Sequence, residues 1–265
     1  MNRSAVKAFS PETAQLALKL AAGEEVEQAL RLRYEVFVEA EKNMKLRAES
    51  GLEHDGYDAF CDHLIVKDVE TDRVVGTYRL LPGDRAVRHI GFYSETEFDL
   101  SGFAPFKAKT LELGRSCVAP AYRGGKAIQM LWDGIAAYVT ERGYDYLIGC
   151  ASMHIASLDE LNRIYTMLRR KEVITDRFGI APLPAHRIAG LSMTDEKLDE
   201  KELFRKLPPL MKGYQRLGAH IDGDPAYDDV FQTVDFFIVL HKEQVTRRYR
   251  KHFFGQMTGG CACTI

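Results

Sequence analysis

The sequence lacks any strong imbalance of charge. Its 36 Lys and Arg residues nearly balance 38 Asp and Glu residues, which leaves a net charge of −2 over 265 residues. Proteins that bind nucleic acid usually carry a clear basic excess or a basic face, so nucleic acid is not an expected partner. Any anionic partner must therefore be bound by a local basic patch.

Long apolar runs are also missing. No stretch approaches the roughly 20 apolar residues that span a bilayer, and "LALKLAA" near the N-terminus is too short and too interrupted for a secretory signal. We therefore expect a cytoplasmic protein, and contact with the inner membrane face at its periphery stays open.

Cysteine is sparse and its spacing is uninformative. The five cysteines are an odd number, and no two pairs of them have the spacing of a zinc site. Reduced thiols without a bound metal are expected, and Cys117 and Cys150 are interpreted as small core residues.

Apolar periodicity predicts an alternating order of strands and helices. A strand at residues 13–21 precedes a helix that begins after Gly23, and "HLIVKDV" and "RVVGTYRLL" form an antiparallel hairpin. "FKAKTLELGRSCV", "YDYLIGCAS" and "QTVDFFIVLHKE" are further strands, and amphipathic helices follow the first two of these. The order predicts one α/β domain with a mixed sheet and helices on both faces, with a core at about residues 13–175 and a C-terminal elaboration at about 176–265.

The strand "LELGRSCV" carries two charges, Glu112 and Arg115. Burying an unpaired charge costs several kcal/mol, and residues three apart in a regular strand point to opposite faces. Because a glycine inside a strand often marks a β-bulge, Gly114 predicts a bulge near residues 113–116 that brings both charges to one side. A structural ion pair between Glu112 and Arg115 is the alternative.

The turn "YRGGK" connects this strand to the next helix. Helix N-termini present free N–H groups to anions, and glycine lets a phosphate approach the backbone. Arg123, Gly124, Gly125 and Lys126 are therefore candidates for binding the phosphate of a donor molecule. An ordinary strand-to-helix turn is the alternative.

The motif V-x-P-x-Y-R-G between a strand and a helix resembles the acyl-CoA-binding element of the GNAT superfamily of N-acyltransferases. The usual GNAT turn reads Arg-Gly-x-Gly-x-Gly/Ala, whereas Lys126 and Ile128 stand here in place of the later glycines. Blocks such as "RLRYEVFV", "CDHLIVKD", "VVGTYRLLP" and "PPLMKGYQRLGA" extend the resemblance over roughly residues 15–250 to the bacterial ornithine N-acyltransferases. "RLLP", E-x-x-R and Asp55-x-x-Asp58 are also similar to acyl-homoserine-lactone synthases.

The resemblance implies a GNAT-like, partly splayed sheet and an enzyme that moves a long-chain (3-hydroxy)acyl group to the α-amino group of ornithine, giving lyso-ornithine lipid. The donor would be a thioester of acyl carrier protein, or acyl-CoA, and no cofactor would be bound permanently. Another N-acyl amino acid synthase, an acyl-homoserine-lactone synthase and a non-catalytic acyl-thioester binding module are the alternatives.

The implied site divides into three groups. Glu112 and Arg115 are the catalytic candidates, with Glu112 as general base. Val118 and the residues of the turn would contact the donor. The acceptor would be bound by Arg33, Phe37, Asp55, Asp58 and Arg79.

Several of these residues have simpler alternatives. Asp55 and Asp58 either bind the ammonium groups of the acceptor or belong to a solvated acidic loop. Arg79 either holds the acceptor carboxylate or pairs with a nearby acid, and Arg33 faces inward or extends along a helix edge to water. The basic segment Lys242–Lys251 would attract an acidic carrier protein or membrane, or is a solvated helix end.

Overall fold

The computed structural model describes residues 14–246. Its helices are α1 (Glu24–Tyr34), α2 (Gly83–Arg88), α3 (Lys126–Arg142), α4 (Leu158–Arg170), α5 (Glu200–Lys206) and α6 (Pro209–Leu217). Its strands are β1 (Leu16–Leu20), β2 (Asp62–Asp68), β3 (Arg73–Pro82), β4 (Phe98–Asp99), β5 (Thr110–Val118), β6 (Tyr146–Met153), β7 (Ile174–Thr175), β8 (Ala181–Pro182), β9 (His220–Asp222), β10 (Ala226–Asp228) and β11 (Thr233–His241).

The strands form an open, mixed sheet of nine strands in the order β1-β2-β3-β5-β6-β11-β9-β7, with β10 paired to β11. The β5–β6 and β7–β9 pairs are parallel, and the other pairs in this sheet are antiparallel. β11 lies directly beside β6, so the C-terminal region contributes to the centre of the sheet.

Alternate residues of β2 pack against helices on opposite faces of the sheet. Ile65 lies in a cluster with Ala29 and Leu32 of α1, whereas Leu64 packs in the main core with Leu131 of α3. This alternation follows from the period of two along a strand. The predicted α/β fold with helices on both faces is confirmed.

The predicted hairpin and the long central helix are present. β2 and β3 pair antiparallel, and α3 ends at Gly143, whose left-handed backbone (φ 68°) terminates the helix. The sequence did not predict α2, which follows β3 directly, or the short helices α5 and α6. In the part of the chain that the structure describes, no helix has the length and apolar character needed to cross a membrane.

Two irregularities in β5 open the sheet. β5 pairs with β6 only at Thr110, Leu111 and Glu112, after which the two strands separate. On the other side of β5, the pairing with β3 contains one extra residue in β5. Arg115 and Ser116 therefore both lie opposite Tyr78, which is a β-bulge. The partly splayed sheet and the bulge are both as predicted.

The backbone conformation that makes the bulge belongs to Arg115 and not to Gly114. Arg115 has φ of 48°, a left-handed conformation that costs a non-glycine residue roughly 1–2 kcal/mol. The idea that Gly114 supplies the bend is therefore wrong, although the position of the bulge is right. A residue held in this conformation needs support from its side-chain contacts.

Candidate active site

A cavity of about 600 Å³ opens where β5 and β6 separate. One wall comes from β3 and β5 and includes Arg79, Glu112 and Arg115. The opposite wall comes from β6 and β11 and includes Ser152 and Asp235. One wall of the cavity therefore carries two cations and the Glu112 carboxylate, and the other wall carries the Asp235 carboxylate.

Behind the cationic wall, three arginines and three carboxylates form a buried network. Nε of Arg33 donates to Glu53 at 2.5 Å, and its Nη1 donates to Asp58 at 2.7 Å. Arg33 is 1% exposed, so the interpretation that it extends along a helix edge to water is wrong.

The other two arginines complete this network. Nη1 of Arg79 donates to Asp55 at 2.6 Å. Arg115 donates from Nε to Glu53 at 3.1 Å and from Nη2 to Asp55 at 2.9 Å. The idea of a solvated acidic loop is therefore wrong, because its carboxylates hold the arginines that line the cavity.

The electrostatics of Asp58 show how tightly the network is coupled. Burial raises the pKa of this carboxyl, but the hydrogen bonds and charge of Arg33 outweigh it and lower the pKa to about 2. Glu53 belongs to the same network, although it is not among the site residues predicted from the sequence. Glu53 lies in an irregular loop, so no strand or helix periodicity in the sequence indicates that its side chain points into the protein.

Glu112 anchors the turn that begins at Tyr93. Its carboxylate accepts the backbone N–H groups of Tyr93 at 2.7 Å and Ser94 at 2.8 Å, and the Ser94 hydroxyl at 2.6 Å. Burial raises the pKa of Glu112, and these hydrogen bonds oppose the rise without cancelling it. No salt bridge joins it to Arg115 within the described chain, so the expected alternative of a Glu112–Arg115 pair is wrong.

Arg115 reaches the same side of the sheet as Glu112 through aromatic contacts. Its guanidinium carbon lies 4.6 Å from the ring centroid of Tyr93 and 4.6 Å from that of Phe231. Because the backbone of Tyr93 also donates to Glu112, the two charged residues flank one aromatic ring. These contacts support the left-handed backbone at Arg115.

The glycine-rich turn lies outside the cavity lining. Gly125 has φ of 97° and precedes α3, and a Cβ on it or on Gly124 would meet no atom of residues 14–246 within 4 Å. Arg123 donates to the carbonyl oxygen of Val118 at 3.2 Å, and Lys126 donates to that of Ala14 at 3.2 Å. The turn is thus open to solvent at the N-terminus of a 17-residue helix, with two cations beside it.

A second acidic group, not predicted from the sequence, lies at the cavity. Glu97, Asp228 and Asp235 are buried, and the last two line the cavity. Asp235 accepts the hydroxyls of Thr233 at 2.8 Å and Ser152 at 3.1 Å. A charged residue inside the apolar strand "TVDFFIVLH" is the same signal that singled out Glu112, and it could have identified Asp235.

The pKa values of this group are shifted upward. Burial, followed by the charges of Asp235 and Asp228, raises the pKa of Glu97 to about 9. Burial also raises the pKa of Asp235 to about 6. At neutral pH we therefore expect the buried carboxyl of Glu97 to hold a proton.

This protonation makes stability depend on pH in a defined direction. Because the pKa of Glu97 is higher in the folded state than the ordinary 4.5, its contribution is fully present below pH 4.5 and is lost as the pH rises toward 9. We expect Tm to fall between pH 6 and pH 9, and Glu97→Gln to reduce that fall by about 5 °C or more. Calorimetry of both proteins at four pH values measures this, and equal slopes would contradict the assignment.

The comparisons agree with this geometry. The family model "Acetyltransferase (GNAT) domain" matches residues 32–133. Together with the splayed sheet, this match and the relatives described next show the class of the protein, which is an N-acyltransferase with the GNAT fold.

Two relatives define the family more narrowly. The L-ornithine N(alpha)-acyltransferase of Brucella abortus (strain 2308) is 35% identical over 238 residues, covering 86% of this chain and 84% of the relative. That of Rhizobium meliloti (strain 1021) is 37% identical over 241 residues, covering 86% and 80%. The chain belongs to the L-ornithine N(alpha)-acyltransferase family, and the predicted family and enzyme class are confirmed.

Solved structures share the fold at low sequence identity. The CoA-dependent acyl-homoserine lactone synthase BjaI, solved with SAM and isopentyl-CoA, has a TM-score of 0.50 at 16% identity, covering 92% of this chain and 90% of BjaI. FeeM, an N-acyl amino acid synthase from uncultured soil microbes, has a TM-score of 0.50 at 12% identity, covering 88% and 96%.

Proposed function

We propose that the protein transfers a long-chain (3-hydroxy)acyl group from the thioester of an acyl carrier protein to the α-amino group of ornithine, giving lyso-ornithine lipid. The observation that carries this proposal is the cavity between β5 and β6, which has Arg79 and Arg115 beside Glu112 on one wall and Asp235 on the other. A cationic amino acid carries a carboxylate that would suit the arginines and a side-chain cation that would suit the carboxylate of the other wall. The printed names of the relatives support ornithine as the acceptor.

The cationic wall would bind the carboxylate of the acceptor. Arg79 uses Nη1 for Asp55, and its Nε and Nη2 face Gly114, lying 3.7 and 3.9 Å from the position of a Cβ there. Because Asp55 holds the guanidinium through Nη1, the edge formed by Nε and Nη2 is oriented to bind a carboxylate with two hydrogen bonds. In this arrangement Arg33, Asp55 and Asp58 position the arginine wall, and Phe37 contributes apolar surface to the cavity.

The chemistry would be a direct transfer. The α-amine attacks the thioester carbonyl, Glu112 accepts the proton that the amine loses, a C–N bond forms and the C–S bond breaks. The proton then passes to the departing thiolate. Backbone N–H groups of β5 beyond Glu112, where pairing to β6 has ended, would polarise the carbonyl oxygen. Arg115 would hold the bulged backbone in place.

The donor arm would lie along the end of β5. We place its phosphate at the turn formed by Arg123, Gly124, Gly125 and Lys126, beside Val118, because this turn is open and precedes a long helix. The basic segment Lys242–Lys251 would attract the acidic carrier protein, and its residues from 247 onward lie outside the described residues. Because the product is a lipid, peripheral membrane contact is expected.

Removing one of the two cations of the turn should weaken donor binding. We expect Arg123→Ala to raise KM for the acyl donor about tenfold, since a charge-assisted hydrogen bond is lost, without changing KM for ornithine. Arg88→Ala, which removes an exposed arginine paired with Asp84, is the control and should change neither constant. A normal donor KM in Arg123→Ala would remove this turn from the donor site.

Lipid analysis of cells that express the protein tests the proposed function. Mass spectrometry should show a new N-acyl ornithine carrying one amide-linked long-chain acyl group. Parallel cultures supplied with lysine or glutamine test for an N-acyl amino acid synthase with another acceptor. A reporter strain that responds to acyl-homoserine lactones tests for a lactone synthase. No new N-acyl amino acid would refute the proposal.

A further inference from the structure

Within residues 14–246, one buried carboxyl group beside the cavity has no hydrogen-bond partner. Glu97 is 2% exposed, and neither of its carboxyl oxygens has a hydrogen-bond partner among the described residues. A buried polar group without a partner costs roughly 1–3 kcal/mol, and each such group in a native protein calls for an explanation, such as a catalytic role or a bound ion or water.

The atoms around Glu97 form a small receptor. One carboxyl oxygen each of Glu97 and Asp235 and the sulfur of Cys150 lie within 4.8 Å of one another. A point equidistant from three atoms at that separation is about 2.8 Å from each, which is the length of a hydrogen bond. Asp235 and Cys150 line the cavity, so this point is reached from its interior.

We propose that Glu97 and Asp235 bind the side-chain ammonium group of a diamino acid acceptor and thereby set the specificity of the enzyme for that acceptor. An ammonium group has three N–H donors, which match the three acceptor atoms of the cluster. The inference rests on the proposed function and adds which end of the acceptor each wall recognises.

The three atoms suit an ammonium group better than a metal ion. Metal ligands must be deprotonated, whereas burial raises the pKa of the Cys150 thiol well above its ordinary value and Glu97 carries a proton at neutral pH. A protonated carboxyl beside an ionised one can release its proton when a cation arrives.

The position of the cluster fixes the orientation of the acceptor. Cys150 on β6 pairs with Phe237 and Ser152 pairs with Asp235, so these side chains share one face of the sheet. Arg79 on β3 lies on the opposite side of the splay, where it pairs with Gly114 of β5. With its carboxylate at Arg79 and its side-chain ammonium at Asp235, a diamino acid spans the opening and places the α-amine between them.

Binding should be linked to proton release. The titratable and charged groups that act on Glu97 or are acted on by it are Asp235, Asp228, Glu112, Arg115, Tyr93 and Cys150. The pKa of Glu97 is raised to about 9, and the positive charge of a bound ammonium would lower it. At pH 7 we therefore expect about one proton to be released for each ornithine bound through this cluster.

The test compares L-ornithine with L-norvaline, which has the same carbon chain without the side-chain amine. For the purified wild-type protein with one acyl-carrier-protein thioester, kcat/KM should favour ornithine on the order of 100-fold or more, the value of a desolvated charge pair. Glu97→Gln and Asp235→Asn should each reduce the ornithine-to-norvaline ratio on the order of 30-fold or more. Asp229→Asn, whose carboxylate is 77% exposed, is the matched control and should keep the ratio.

Isothermal titration calorimetry measures the proton release when ornithine is added to the wild-type protein in two buffers of different ionisation enthalpy. This measurement does not depend on whether a variant folds. Release by ornithine and none by norvaline supports the inference. A wild-type ratio near one, or a ratio unchanged in both folded variants, would overturn the inference while ornithine acylation still stands. Acylation of neither amino acid would instead refute the proposed function.

Discussion

Glu112→Gln is expected to lower kcat/KM for ornithine acylation on the order of 100-fold or more. The carboxylate lies in the cavity wall at the point where β5 leaves β6, and burial keeps its pKa above the ordinary value. A base must be deprotonated to act, so the wild-type rate should fall as the pH drops below that pKa. The variant should lose this acidic limb of the pH–rate profile.

The same residue also holds the turn at Tyr93, so a second variant must separate the two roles. Glu95→Gln removes a carboxylate of that turn, which accepts the N–H of Phe92 at 2.8 Å and pairs with Lys107, without touching the cavity. We expect it to keep the acidic limb and to lose only a few-fold in rate. If Glu112→Gln keeps the limb and matches Glu95→Gln in rate, Glu112 is structural.

Ser94→Ala adds a graded test of the base. In the wild-type protein the hydroxyl of Ser94 donates a hydrogen bond to Glu112, which lowers the pKa of Glu112 and opposes the effect of burial. Removing this hydroxyl should therefore raise the pKa and move the acidic limb to higher pH. A limb that stays in place would assign the titration to another group.

Arg33→Met is expected to destabilise the protein by about 3–5 kcal/mol. Met fills a similar volume, but it leaves Glu53 and Asp58 as buried carboxylates without their principal cation. Because the carboxyl of Asp58 has a pKa of about 2 in the folded protein, the loss should be largest at neutral pH. Urea unfolding followed by circular dichroism measures the change.

Arg31→Met is the matched control on the same helix. Arg31 is exposed and pairs with exposed Glu27, and a pair of this kind contributes about 0–1 kcal/mol. A loss in Arg33→Met as small as in Arg31→Met would show that the buried network does not stabilise the fold. The double variant Arg33→Met with Asp58→Asn should recover part of the loss, since one uncompensated charge is removed.

The sequence revealed the architecture where a local pattern sets it. The period of two in β2 and the glycine after α3 define a strand and a helix end by short-range geometry. The position of the bulge was predicted because Glu112 and Arg115 would point to opposite faces of a regular strand. Its cause was not predictable, because φ at Arg115 depends on Tyr93 and Phe231, which are distant in sequence.

The candidate site was only half predictable for a related reason. Arg33, Arg79 and Arg115 were selected from the sequence, but the pairing among their carboxylates depends on how a loop without periodicity folds back. Asp235 carried a readable signal in an apolar strand. Glu97 lies just before the short strand β4 and meets Asp235 only through the tertiary fold, so nothing in its neighbourhood marks it.

The central claim is tested most directly by acylation with the purified protein. Ornithine labelled with ¹⁵N at the α-nitrogen alone is incubated with a 3-hydroxyacyl thioester of acyl carrier protein, and the product is fragmented by mass spectrometry. We expect one amide per product, formed at the labelled nitrogen, together with release of the free carrier thiol. An amide at the unlabelled nitrogen, or thiol release without any amide, would contradict the account.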